Sequence, residues 1–117
     1  MVRTLPLAAV VAALAIPAAA LAHHGWSSYD SAKPIRHTAP LTDVVWGNPH
    51  GAAKVAYQGK TWAVVLAPVL RMESRGLTRE MLAPGKPVTL EGYPRSDGVP
   101  EMRIERITVA GKTVELR

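Results

Sequence analysis

From Thr42 to the end of the chain, apolar and polar residues alternate in short runs separated by turn residues, the signature of half-buried strands. Val44 and Trp46 share a face of the first run, which Gly47-Asn48-Pro49 ends. Ala53, Val55 and Tyr57 share a face before Gln58-Gly59, and Trp62, Val64 and Leu66 share one after it, so the two runs read as a hairpin. Pro68 then suits the start of a helix carrying Leu70 and Met72, with Gly76 as its C-terminal cap. A second turn follows, in which Thr78 is the cap and Leu77 and Leu82 form a hydrophobic staple.

Pro84-Gly85 leads into a fourth run, Val88 to Tyr93, and Ser96-Asp97-Gly98 into a fifth. In the fifth, Met102 and Ile104 lie on one phase and Ile107 and Val109 on the other, which predicts a bulge near Glu105-Arg106. Ala110-Gly111 allows a last strand at Thr113 to Leu116. Three strands, a helix, then two or three strands is the order of a small barrel of the oligonucleotide/oligosaccharide-binding (OB) type. The expected fold is therefore mainly β, a five- to six-stranded OB-fold-like barrel over residues 41–117 with one helical insertion between strands 3 and 4.

Upstream the pattern changes twice. Residues 23–40 are polar and aperiodic and read as an extended N-terminal arm. Residues 1–22 have the zones of a secretory signal peptide: Arg3, an apolar run from Leu5 to Ile16, Pro17, then Ala20-Leu21-Ala22 as a small-x-small cleavage signal. The uninterrupted run falls short of the roughly 18 to 20 residues of a bilayer span, and no stop-transfer segment follows. The expected product is a periplasmic protein with no stable membrane insertion after cleavage.

Cleavage after Ala22 would leave 95 of the 117 residues, enough for one domain. The chain has no cysteine, which removes disulfides and thiolate metal sites alike. Its net charge of +5 falls by one with Arg3, and the remaining basic residues are interspersed with acidic ones, as in Arg103-Ile104-Glu105-Arg106. That pattern suits a solvated surface, and no nucleic-acid partner is expected.

The histidines carry the chemistry. All four, His23, His24, His37 and His50, lie in the first half of the chain. If the mature protein starts at His23, its α-amine and imidazole can chelate one metal ion. A third nitrogen from His50 or His24 would complete the T-shaped set called a histidine brace. Neutral imidazoles suit copper(II), zinc or nickel, and copper(II) binds tightest of these. Cleavage after Ala20 would instead give Leu-Ala-His, a copper and nickel chelator of different geometry. The metal candidates are thus His23, His24 and His50, with Cu(II) or Zn/Ni as the ion; His37 ranks lower, and His50, in a turn, has the alternative of satisfying a backbone group.

Trp26 and Tyr29, on the arm, are the partner-binding candidates: they either anchor the arm to the barrel or dock on an envelope protein. Tyr57 and Trp62 flank the hairpin turn, where such barrels stack bases or sugars. With no phenylalanine in the chain, however, Trp46 and Trp62 are expected to serve packing. No nucleophile elbow, phosphate loop or dinucleotide fingerprint occurs, and no catalytic residue is assigned.

His23-His-Gly-Trp-Ser-Ser-Tyr-Asp30, Trp46-Gly-Asn-Pro-His50, Arg71-Met-Glu-Ser-Arg-Gly-Leu-Thr-Arg79 and Glu91-Gly-Tyr-Pro94 together resemble the DUF6152 family of small exported bacterial proteins. The resemblance covers nearly all of the mature chain. It implies export and no particular activity. Ala39-Pro40 departs from the Gly-rich approach expected before the first strand. The expected function is that of an exported binding protein, monomeric or weakly associating, that takes a divalent metal at its mature terminus; the alternative is a metal-independent interaction module led by the aromatic arm.

Overall fold

The computed structural model describes residues 25–117. Seven strands form one curled sheet: β1 (Ile35–Pro40), β2 (Thr42–Val45), β3 (Ala52–Tyr57), β4 (Lys60–Val65), β5 (Pro87–Pro94), β6 (Glu101–Val109) and β7 (Lys112–Glu115). Helix α1 (Val69–Ser74) and a 3-10 turn at Arg79–Leu82 join β4 to β5, and a second 3-10 turn, Trp26–Ser28, precedes β1. Among the described residues no helix is long and apolar enough to cross a membrane.

The neighbour order is β1-β5-β6-β4-β3-β2, with β7 added on β6. β1 and β2 stand at opposite ends of this path, yet only Leu41 separates them in the chain. One covalent segment therefore supplies both ends of the sheet, and the sheet must curl back on itself. Leu41 turns inward at this corner, 1 % exposed. A register shift in β2 and a positive φ of 48° at Asp43 complete the bend. His37 adds a side-chain clip: its Nε2 donates to the Ala56 carbonyl at 2.8 Å, linking β1 to β3. β4 and β6 pair in parallel, and every other strand pair is antiparallel. The result is the expected mainly β, barrel-like fold, a curled half-barrel with seven strands where five or six were expected and the helix after the fourth, because the sheet starts earlier than the sequence suggests. The last six residues of the arm are β1, hydrogen-bonded to β5 from Ile35↔Gly92 to Pro40↔Pro87.

The local elements follow their sequence signals. Gln58 and Gly59 both take positive φ, 50° and 76°, as a tight two-residue hairpin turn requires. α1 ends in a Schellman arrangement: the Leu77 N–H donates to the Met72 carbonyl at 2.9 Å and Gly76 N–H to Glu73 at 3.0 Å, with Gly76 at φ +91°. Met72 and Leu77 are fully buried, which supplies the apolar contact that this cap uses. Leu82 is buried with Leu77, whereas Leu70 lies on the outer side of the helix and is 81 % exposed.

The predicted bulge is in place. Glu91 pairs with Arg106 and Gly92 with Ile104, leaving Glu105 as the extra residue. The phase switch lets Met102, Ile104, Ile107 and Val109 all reach the core. It also puts Glu105 and Arg106 together on the outer face, where Glu105 meets Arg117 at 3.2 Å and Arg106 meets Glu115 at 2.9 Å. Gly92 faces this bulge, and a Cβ there would collide with the Arg103 carbonyl oxygen and approach Ile104 Cα within 2.9 Å. Both are backbone atoms and cannot rotate away. Gly92→Ala should therefore cost about 3 kcal/mol or more. Gly111→Ala, with no neighbour within 4 Å and a φ of +79°, loses only the left-handed preference, about 1 to 2 kcal/mol. Thermal unfolding followed by circular dichroism should rank the two in that order.

Candidate functional site

The arm is fastened to the outer face of the barrel. Tyr29 makes an isolated bridge to Arg95, the Asp30 N–H donates to the Pro94 carbonyl at 2.8 Å, and the Ser96 N–H donates to the Ser28 carbonyl at 3.0 Å. The Tyr29 hydroxyl donates to Glu101 Oε2 at 2.5 Å, and its ring is 7 % exposed. Three residues upstream, the half-buried Trp26 packs against Tyr93 edge to face, with 6.3 Å between centroids. The guanidinium carbons of Arg103 and Arg117 each lie 4.5 Å from the Trp26 ring centroid. Cation–π contacts of this kind contribute about 0.5 to 2 kcal/mol each, depending on desolvation.

The bulge holds the clasp together. Glu105 accepts hydrogen bonds from the Tyr93 hydroxyl at 3.0 Å and from Arg117 at 3.2 Å. Partial burial works against the Glu105 charge, but these two bonds outweigh it and keep the carboxyl below its ordinary range. Burial pulls the Arg103 guanidinium down from its usual value, and the nearby cations Arg71 and Arg117 act in the same direction.

The sheet register gives the direction of the arm. Tyr29 meets β6 at Glu101, which pairs with Ala63 of β4. Trp26 meets β6 at Arg103, which pairs with Val65, and Val65 in turn pairs with Ala52 of β3. Toward the N-terminus, then, the arm moves one outward row along the sheet, from Glu101–Ala63 to Arg103–Val65–Ala52. Beyond Ala52 the ladder continues through Gly51, whose N–H donates to the Ala67 carbonyl at 2.9 Å. His50 comes next.

Two strand spacings, roughly 10 Å, separate Arg103 from Ala52, and two residues of strand, roughly 7 Å, separate Ala52 from His50. His24 and His23 lie outside the described residues, two and three positions before Trp26.

His50 is half-buried, and its ring is oriented from behind: Nδ1 lies 2.9 Å from the Gly51 carbonyl. A carbonyl only accepts, so Nδ1 carries the hydrogen and the lone pair of the neutral ring resides on Nε2. This is the arrangement in which a backbone carbonyl orients a metal-binding histidine. His37 has the opposite assignment, since its Nε2 donates to Ala56, and its ring packs on Tyr57 at 4.8 Å. It is a barrel clip on another part of the wall. Among the described residues no three His, Cys, Asp or Glu side chains converge on one point.

Of the sequence candidates, Trp26 and Tyr29 come together on the arm's seat, with Tyr29 spent on the barrel and Trp26 half-exposed. Trp46 and Trp62 are half-buried and pack against the core, as their expected structural role requires. Of the seat residues Tyr93, Arg103, Glu105 and Arg117, the sequence marks Tyr93 as a strand aromatic and Glu105 at the phase switch, and none of the four as a contact of the arm.

The Tyr29 clasp is sensitive to alkali. Burial, then its hydrogen bond to Glu101, raises the phenol far above its ordinary value of 10.0. A folded pKa above the unfolded one gives stability that is complete below pH 10 and declines above it. Tyr29→Phe should destabilise by about 1.5 to 3 kcal/mol at pH 7, the range for a hydrogen bond to a charged acceptor. It should also flatten the loss of stability above pH 10 in urea titrations of the two proteins.

No curated protein matches the chain. The family model described as "Family of unknown function (DUF6152)" matches residues 10–102, most of the chain, from before the arm through β5 to the first residues of β6, and the protein belongs to that family.

Proposed function

We propose that this is an exported, periplasmic protein whose mature N-terminus binds a divalent metal ion, copper(II) in preference to zinc or nickel, with His50 as the ligand supplied by the barrel. The observation that supports the reading is the seating of Trp26 against Arg103, whose row of the sheet runs through Val65 to Ala52, two residues from His50 in the chain. With cleavage after Ala22, His23 would contribute its α-amine and ring nitrogen, and His50 Nε2, or the ring of His24, the third nitrogen. Neutral nitrogen donors of this kind favour copper(II) within the divalent series. The chemistry that suits such a module is sequestration or delivery of the ion.

Docking of the arm on an envelope partner is less well supported, because Tyr29 is buried against Glu101 and Arg95 and Trp26 is held by three residues of its own barrel. In the metal reading these same contacts act as the anchor.

The test is made on protein exported with its own signal, with the terminal residue identified by intact mass. Copper(II) is titrated against a competing chelator for the wild type, His23→Ala, His50→Ala and His37→Ala. His23→Ala and His50→Ala should each weaken binding at least tenfold and alter the nitrogen hyperfine pattern of the electron spin resonance spectrum, while His37→Ala should leave both unchanged. Equal affinities and spectra for wild type and His50→Ala would remove the barrel from the site.

A further inference from the structure

A second site lies on another part of the molecule. The β3–β4 hairpin tip, the turn leading into β1 and the β5–β6 loop enclose a cleft of about 370 Å³. That volume is at the small end of the range for small-molecule sites, with room for one or two rings. Its apolar wall includes Tyr57 and Trp62, which meet edge to face with centroids 5.3 Å apart and planes at 76°, together with Pro34, Pro94 and Val99. Its polar lining includes Asp30, Gln58 and Ser96, which offer carboxylate, amide and hydroxyl groups.

The charges of the cleft are matched within it. Arg95 is paired with Asp97 at 2.6 Å and with Glu101 at 3.6 Å, and Lys33 lies 4.0 Å from Asp30. The pairing with Asp97 holds that carboxyl down to about 2, so the pair persists through the neutral range. With Arg95 paired to two carboxylates the cleft gives little advantage to a phosphate, and with Lys33 beside Asp30 it gives little to a second ammonium, while the Asp30 carboxylate keeps acceptor capacity for hydroxyls. Aromatic surface beside mixed donors and acceptors, without spare charge, matches a molecule with one apolar C–H face and a hydroxyl-lined edge. Such molecules are pyranose rings.

We propose that this cleft binds a neutral saccharide of one or two pyranose rings, stacked on the Tyr57–Trp62 wall and hydrogen-bonded by Asp30, Gln58 and Ser96. A proline-rich peptide would use the aromatic wall but has few hydroxyls or N–H groups for the polar lining. The shared chemistry allows either a free sugar or the end of a glycan polymer. The site is independent of the metal site, and neither proposal depends on the other.

The experiment follows the indole and methyl resonances of the full mature protein by two-dimensional NMR while maltose, cellobiose and N,N′-diacetylchitobiose are added separately. Retention on amylose, cellulose and chitin is measured alongside, and a proline-rich peptide is titrated as the competing ligand. At least one disaccharide should shift the Trp62 indole and Val99 methyl signals, or the matching polymer should retain the protein if a glycan end is the ligand. Val99→Arg, at a position already 48 % exposed and so compatible with folding, should weaken that binding at least tenfold by obstructing the cleft. Tyr57→Ala should weaken it too, with circular dichroism confirming the fold. No shift and no retention with any of the sugars, or a shift produced by the peptide alone, overturns the assignment.

Discussion

The corner at Leu41 is the constraint on which the rest of the structure depends. One residue joins two strands that stand at opposite ends of the sheet order, so the chain itself prevents the sheet from lying flat. Burying Leu41 at that corner adds about 1.5 to 3 kcal/mol of apolar stabilisation to a small core that has no disulfide to assist it. Curling gives the barrel an inside, filled by Val55, Val64, Met72, Leu90 and Ile107, and an outside with outward rows in a defined register.

Everything on the outer face derives its position from that register. The bulge at Glu105 keeps four apolar residues of β6 in the core and simultaneously places an acidic residue where Tyr93 and Arg117 can bind it. These residues, with Arg103, make the seat for Trp26. The arm is thus held both by its own backbone contacts with Pro94–Ser96 and by a side-chain seat that a defect in strand pairing helps to build. Between Tyr29 and Trp26 the arm passes from the row of Glu101 and Ala63 to that of Arg103 and Val65, rows set by the parallel pairing of β4 with β6.

The two proposed sites divide the barrel between them. The metal reading uses the end of the wall where β3 begins, and its ligands are imidazoles arriving from separate parts of the chain. The saccharide cleft uses the opposite end of the β3–β4 hairpin, where Tyr57 and Trp62 are held by the turn at Gln58-Gly59. Tyr57 also touches His37, the clip between β1 and β3, so barrel closure and the shape of the cleft wall are physically linked.

Much of the fold was legible in the residue pattern, because strand alternation, the Gly59 and Gly111 turns and the Gly76 cap are local effects that operate within a few residues. The bulge was legible for the same reason: Ile104 and Ile107 cannot both face inward on a regular strand. β1 was not legible, since Ile35 is its only large apolar residue and Pro40 ends it; its identity as a strand comes from hydrogen bonds to β5, 47 to 57 residues away in the chain. The histidines and the aromatic arm could be named from sequence as chemistry without an address. Only the tertiary structure decided that Tyr29 is buried, that Trp26 sits between two arginines of distant segments, and that His37 and His50 hold their protons on different nitrogens. Those outcomes depend on which strands become neighbours, and that is set by the closure of the whole sheet rather than by any run of residues within it.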